Sequence, residues 1–176
     1  MTINAKALYS AIVLGATGNV GGRIVQLLIK NPRCEKVVVV TRRKTDAFGD
    51  SKVSEVVVNM DRLEEEIAPH AQGVDVALAA FGVGKGSAKM PEEEVRKIEV
   101  TYPQAFCRAA KAAGARVCGV MTAVGAEPAA GMKYAKDYRR EGKGCRVRPI
   151  RLPGRVPSRR HSRQLQHAVL RGATAG

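Results

Sequence analysis

The chain has 176 residues, 45% of them hydrophobic and 26% charged, with only 4% aromatic and no Trp. That is enough for one α/β domain with a real core and too little for two. The formal charge of +14 is uneven: residues 1–132 carry 17 Lys+Arg against 14 Asp+Glu, while residues 133–176 carry 13 against 2. The basicity therefore belongs to the last quarter, and it does not mark the domain as a nucleic-acid binder.

In chain order, Met1 to Lys6 lacks the basic, apolar, then small-residue pattern of a secretory signal, which leaves a cytoplasmic location as the expectation. Tyr9 to Leu14 reads as a buried first strand. It runs into Gly15-Ala16-Thr17-Gly18-Asn19-Val20-Gly21, after which Val20, Ile24, Leu27 and Leu28 recur at helical spacing until Asn31-Pro32. Lys36 to Thr41 is a second strand, β-branched at nearly every position and so expected to be covered on both faces. Val53 to Asn59 is a third, followed by a short acidic helix from Asp61 to Ile67. Val74 to Phe81 is a fourth, leading into the glycine-rich stretch Gly82 to Ser87.

A long helix is expected from Pro91, with Glu92, Glu93 and Glu94 at its positive end. Its buried stripe reads Val95, Ile98, Tyr102, Phe106 and Ala109, with a kink at Pro103 and a stop at Gly114. Val117 to Met121 is the fifth strand. Strands alternating with helices in this way specify a doubly wound parallel sheet of the α/β class.

The glycine spacing lies between a strand and an amphipathic helix, the context in which it binds a dinucleotide. Gly15 permits the turn, Gly18 admits a pyrophosphate close to the backbone, and Gly21 lets helix and strand approach. Thr17, Asn19 and Val20 complete the loop at the helix N-terminus, where free amides attract phosphate. A plain glycine turn is the structural alternative. At the end of the second strand stand Arg42 and Arg43, where an NAD site usually has an acid. Guanidinium groups there suit the 2′-phosphate of NADP in preference to NAD, the alternative being a solvated basic turn. Asp61 either meets the adenine edge or caps the helix that follows it.

These residues resemble the atypical and extended short-chain dehydrogenase/reductases. Thr41-Arg42-Arg43, Asn59 to Leu63 and Val100 to Gly114 are similar to the branch that holds the human Tat-interacting protein and NmrA-like oxidoreductases. The resemblance covers residues 9–127 or so and implies a Rossmann domain that binds NADP(H), with a C-terminal part completing the substrate side. Family members use a Ser after the fifth strand and a Tyr with a Lys four residues on. Here Thr122 holds the serine position and Tyr134 is the tyrosine candidate, but Tyr138 stands where the Lys belongs. That leaves two expectations: a reductase acting on an unknown small carbonyl substrate, or a catalytically silent dinucleotide sensor with a protein partner.

No metal site is expected, since His70, His161 and His167 lack ligand spacing and the four Cys form no C-x-x-C pair. No apolar run is long enough for a membrane helix. Lys85 and Lys89 either touch cofactor phosphate or belong to an ordinary basic loop.

From Lys133 onward only 14 of 44 residues are hydrophobic and no period persists. Residues 133–176 are expected to form a basic, poorly ordered segment. A nucleic-acid arm, a diverged remnant of the family's C-terminus and a frame-shifted translation are the three readings. Missing aromatic interleaving favours the latter two. Limited trypsin digestion should cut early after several of Arg139, Arg146, Arg155 and Arg160 and leave a core of residues 1–135. A tail that resists trypsin without any added partner contradicts this.

Overall fold

The first two strands alternate cleanly, and their alternation builds both layers of the core. In the computed structural model, which describes residues 8–83 and 89–121, β1 spans Tyr9–Leu14 and β2 spans Cys34–Thr41. Ile12, Leu14, Val38 and Val40 face one side of the sheet, and Ala11, Val13, Val37 and Val39 face the other; all are at most 2% exposed. At about 1.5–3 kcal/mol for each fully buried Val, Leu or Ile, these side chains dominate the stabilisation of the sheet.

β3 (Val53–Val57), β4 (Val76–Ala79) and β5 (Val117–Val120) complete a fully parallel sheet in the order β3-β2-β1-β4-β5. Registers of Leu14 with Val40 on one side and Ala79 on the other make β1 the point where the winding reverses. In an open parallel sheet a ligand crevice forms at that point, beyond the strands' C-terminal ends. This is the doubly wound Rossmann-like architecture that the alternation specified. The strands are mostly shorter than the apolar runs suggested, because pairing ends where the chain turns toward the crevice.

α1 (Asn19–Lys30) covers one face. Its buried residues are Gly21, Val25 and Leu28, while Val20 is 48% and Leu27 58% exposed. The expected stripe through Val20 and Leu27 is thus rotated, because Gly21 is the residue drawn against the sheet. The other face carries a 3₁₀ turn (Met60–Arg62), α2 (Leu63–Ile67), α3 (Glu92–Arg96) and α4 (Tyr102–Ala112).

Between α3 and α4 a π turn, Lys97–Thr101, replaces the expected kink. Pro103 has no amide to donate and its ring crowds the carbonyl of Glu99. The helix relieves this one turn earlier, where the Tyr102 amide donates to the Lys97 carbonyl, five residues back. The extra residue places Val100, fully buried, in the stripe and leaves Ile98 half-buried. Gly114, at φ 98°, ends the helix as expected. Among the described residues no helix is long and apolar enough to cross a membrane, and no His/Cys/Asp/Glu group suits a metal.

At the N-terminal edge of the sheet, Asp75 ties three strands together. Its Oδ2 accepts the Ser10 amide of β1 at 2.9 Å and its Oδ1 accepts the Arg116 guanidinium at 2.6 Å. Its own carbonyl accepts the amides of Arg116 and Val117 as β5 begins. The Ser10 amide, with Arg116 adding to it, holds the carboxyl below the ordinary aspartate range. A depressed carboxyl contributes stability that is fully present above its unfolded-state value, about 4, and is lost as pH falls through the folded-state value. Asp75→Asn should therefore lower the urea midpoint at pH 7, and the gap from the parent should narrow below about pH 4. An equal gap at pH 7 and pH 3 contradicts this assignment.

Candidate functional site

β1 ends in a turn that only glycine fits. Gly15 has φ 86°, a left-handed backbone, and a Cβ there would run into the Ala80 carbonyl oxygen at the end of β4. The Ala80 amide donates to the Leu14 carbonyl at 2.9 Å, so the two strand exits lie side by side. One turn into α1, a Cβ on Gly21 would strike the Gly15 carbonyl oxygen. Gly18 is the N-cap, and its nearest obstacle to a Cβ is the Gly15 oxygen at 3.4 Å. Gly15 and Gly21 thus serve the packing, while Gly18 is exposed toward the crevice.

The start of α1 is prepared for an anion. No side chain caps it and its first turn holds no acidic residue. Its leading amides and the positive end of its dipole are therefore available to phosphate. Thr17, Gly18 and Asn19 line an open cleft of about 710 Å³. Val25 and Ile29 of α1 and Phe48 of the loop after β2 give it apolar lining, and Arg42 and Arg43 line it as well. Both arginines are exposed. The neighbouring carboxylates of Glu55 and Asp46 pair instead with Lys44, at 3.2 and 3.9 Å. An uncapped helix start and two guanidinium groups lining one cleft suit an anionic dinucleotide, with no Cβ at Gly18 between backbone and pyrophosphate.

The structure brings Thr17, Gly18, Asn19, Arg42 and Arg43 to this cleft, with Gly15 and Gly21 beneath them and Val20 on the exposed start of α1. Asp61 is not in its lining. The capping alternative for Asp61 is corrected: the Asn59 side chain caps this turn, its Oδ1 accepting the Asp61 amide at 3.0 Å. The Asp61 carboxylate instead takes Lys97 at 2.6 Å and the Tyr102 hydroxyl at 2.8 Å, and these two donors, Lys97 foremost, hold it below the usual range. Burial, followed by Asp61, raises the Tyr102 phenol above its ordinary value, so it stays protonated near neutrality. Lys89 is exposed. Thr122, Tyr134, Lys85 and the boundary at residue 132 lie outside the described residues.

Two carboxylates escaped the sequence reading. Glu99, in the π turn, accepts the Val83 amide at 2.7 Å and lies where a Cβ on Gly82 would fall, at 2.8 Å. It fixes the chain as β4 exits beside Gly15. Glu55 sits inside β3 and reaches the turn after β2. A lone acid in a valine-rich strand was the only available signal for it.

Gly21→Ala should cost about 1–3 kcal/mol of stability, as overpacking of a tight contact does, and should also abolish dinucleotide binding. Gly18→Ala should change stability by less than about 1 kcal/mol, the size of an N-cap effect, yet weaken binding. Thermal unfolding with and without nucleotide separates the two; equal stability losses contradict the division of roles.

Residues 15–143 match the family model described as NAD(P)H-binding. A protein of Candida albicans named "Protein FMP52, mitochondrial" is 31% identical over 129 residues, covering 72% of this chain and 56% of that protein. The chain thus spans little more than half the length of this relative. Further fungal proteins of the same name match, and their mitochondrial designation overturns the cytoplasmic expectation. That expectation rested on a missing secretory signal, which carries no information about other compartments. Among solved structures, the oxidoreductase ylbE from Lactococcus lactis superposes with a TM-score of 0.56 at 21% identity, covering 73% of this chain and 57% of that one. A mutant of uronate dehydrogenase from Agrobacterium tumefaciens, complexed with NAD, gives 0.51 at 18% identity, covering 66% and 42%. At these identities the superpositions establish the fold. Together with the glycine turn and the family match over most of the chain, they show that this protein belongs to the NAD(P)H-binding family.

Proposed function

We propose that the chain binds NADP(H) in preference to NAD(H) and acts as a reductase of the short-chain dehydrogenase/reductase type, on the Tat-interacting-protein and NmrA-like branch. The observation that carries this reading is that Arg42 and Arg43 line the same cleft as the uncapped start of α1. The helix amides and Gly18 would hold the pyrophosphate, and the two guanidinium groups would take the 2′-phosphate in charge-assisted hydrogen bonds. When bound, the nicotinamide supplies hydride chemistry. Thr122 would donate a hydrogen bond to the oxygen of a small carbonyl substrate, and Tyr134 would supply that oxygen with a proton.

One sequence feature favours a second reading. Tyr134 has Tyr138, not Lys, four residues on, so no ammonium at that spacing would lower its phenol pKa. On this reading the protein senses the dinucleotide and passes the signal to a protein partner without turnover. NADPH oxidation screened against aldehydes, ketones and quinones separates the two. Turnover lost in Tyr134→Phe establishes the reductase, and binding without turnover on any carbonyl favours the sensor.

NADPH should bind more tightly than NADH by about 1–3 kcal/mol, the scale of charge-assisted hydrogen bonds, and Arg42→Ala should narrow that gap. Fluorescence titration with both nucleotides checks it; equal affinities remove the claim.

A further inference from the structure

We infer that Glu55 is a positioning residue for nucleotide selection: from inside β3 its carboxylate locks the turn after β2 into the shape that presents Arg42 and Arg43 to the cleft. The inference rests on the NADP(H) reading above and adds to it the residue that makes the two arginines competent.

The geometry is specific. Glu55 pairs with Val39 in the sheet, two residues short of the end of β3, and its side chain is only 4% exposed. Oε1 accepts the Thr45 amide at 3.0 Å and the Thr45 hydroxyl at 2.8 Å, while Oε2 takes the Lys44 ammonium at 3.2 Å. Burial by itself pushes this carboxyl up, but the Thr45, Lys44 and Thr41 donors outweigh it and keep the group below the usual glutamate range. Thr41, four residues before Thr45, is buried and held in the sheet opposite Val57. Arg42 and Arg43 therefore span two fixed points, the end of β2 and the Glu55 carboxylate.

Just past the second fixed point stands Asp46, the only non-glycine at positive φ among the described residues, at 51°. A residue in that region needs its surroundings to hold it there, and the bonds to Thr45 supply the hold. Glu55 also neutralises Lys44, so an anion in the cleft meets the two arginines rather than three competing cations. Planar guanidinium groups bind phosphate well only when their direction is set beforehand.

The test is titration of the full chain with NADPH and NADH. In Glu55→Val the dissociation constant for NADPH should rise about tenfold, as when one charge-assisted hydrogen bond is lost, while that for NADH should barely change. Glu55→Gln, whose amide oxygen can still accept from Thr45, should retain most of the preference. A role confined to general stability would weaken both nucleotides alike, and that result overturns the inference. So does a Glu55→Val variant that binds NADPH as well as the parent, or better because a freed Lys44 joins the site. If Glu55→Val does not fold, Thr45→Val removes the 2.8 Å hydrogen bond at the turn instead; a loss confined to NADPH supports the inference and an unchanged preference overturns it. Equal affinity of the unaltered chain for both nucleotides ends the NADP(H) reading and this inference with it. A clear preference that survives Glu55→Val and Thr45→Val ends the inference alone.

Discussion

Three backbone segments meet at Gly15 with no volume left for a side chain. The Ala80 carbonyl closes the space beside Gly15, and the Gly15 carbonyl closes the space beside Gly21. Since β1, the start of α1 and the exit of β4 all pass through this joint, the direction of α1 relative to the sheet follows from it. The consequence is electrostatic as well as steric. Bringing α1 down onto the end of β1 aims its unpaired amides over the reversal point of the sheet, where the crevice lies. A larger residue at either glycine would tilt the helix away and take the anion site with it.

Around that joint the protein uses carboxylates as organisers of backbone rather than as surface charge. Asp75 collects β1, β4 and β5 at one edge of the sheet. Glu99 pins the exit of β4 at the opposite edge, and Glu55 pins the turn after β2. Each accepts at least one backbone amide, which directs the chain more strictly than a pair of mobile side chains can. Exposed ion pairs such as Arg62 with Glu65 stabilise little by comparison. The carboxylates near the crevice are thus engaged on the scaffold. The cleft rim at Arg42 and Arg43 keeps its positive character, which suits an anionic ligand.

The described cleft and the residues proposed for chemistry lie apart in the sequence. Among the described residues, those that line the cleft lie between Ala16 and Asp50, with the Ala80 carbonyl closing the turn at Gly15 from the exit of β4. The residues proposed to handle a substrate, Thr122 and Tyr134, follow β5. The chain also covers little more than half of its Candida albicans relative.

The two layers and the phosphate loop were legible before any coordinates. The unbroken apolar runs Ala11 to Leu14 and Val37 to Val40 leave no polar face and so serve a sheet covered on both sides, with Ile12, Leu14, Val38 and Val40 on one and Ala11, Val13, Val37 and Val39 on the other. Glycines at positions 15, 18 and 21 between a strand and a helix encode their turn locally. The arginine pair was legible for the same reason, since it directly follows β2. Everything else waited on the packing of the chain, because it depends on partners far apart in sequence. Asp61 reads as a cap or a ligand until Lys97 and Tyr102, 36 and 41 residues away, claim its carboxylate. The buried stripe after Val95 shifted because Pro103 forced a π turn, which puts Val100 in the core where Ile98 was expected. Glu55 looks like one acid in a strand, and only the fold of the turn after β2 turns it into a backbone clamp. Periodicity reports which face of an element is dry, whereas the partner of a single polar group is set by which distant segment packs beside it.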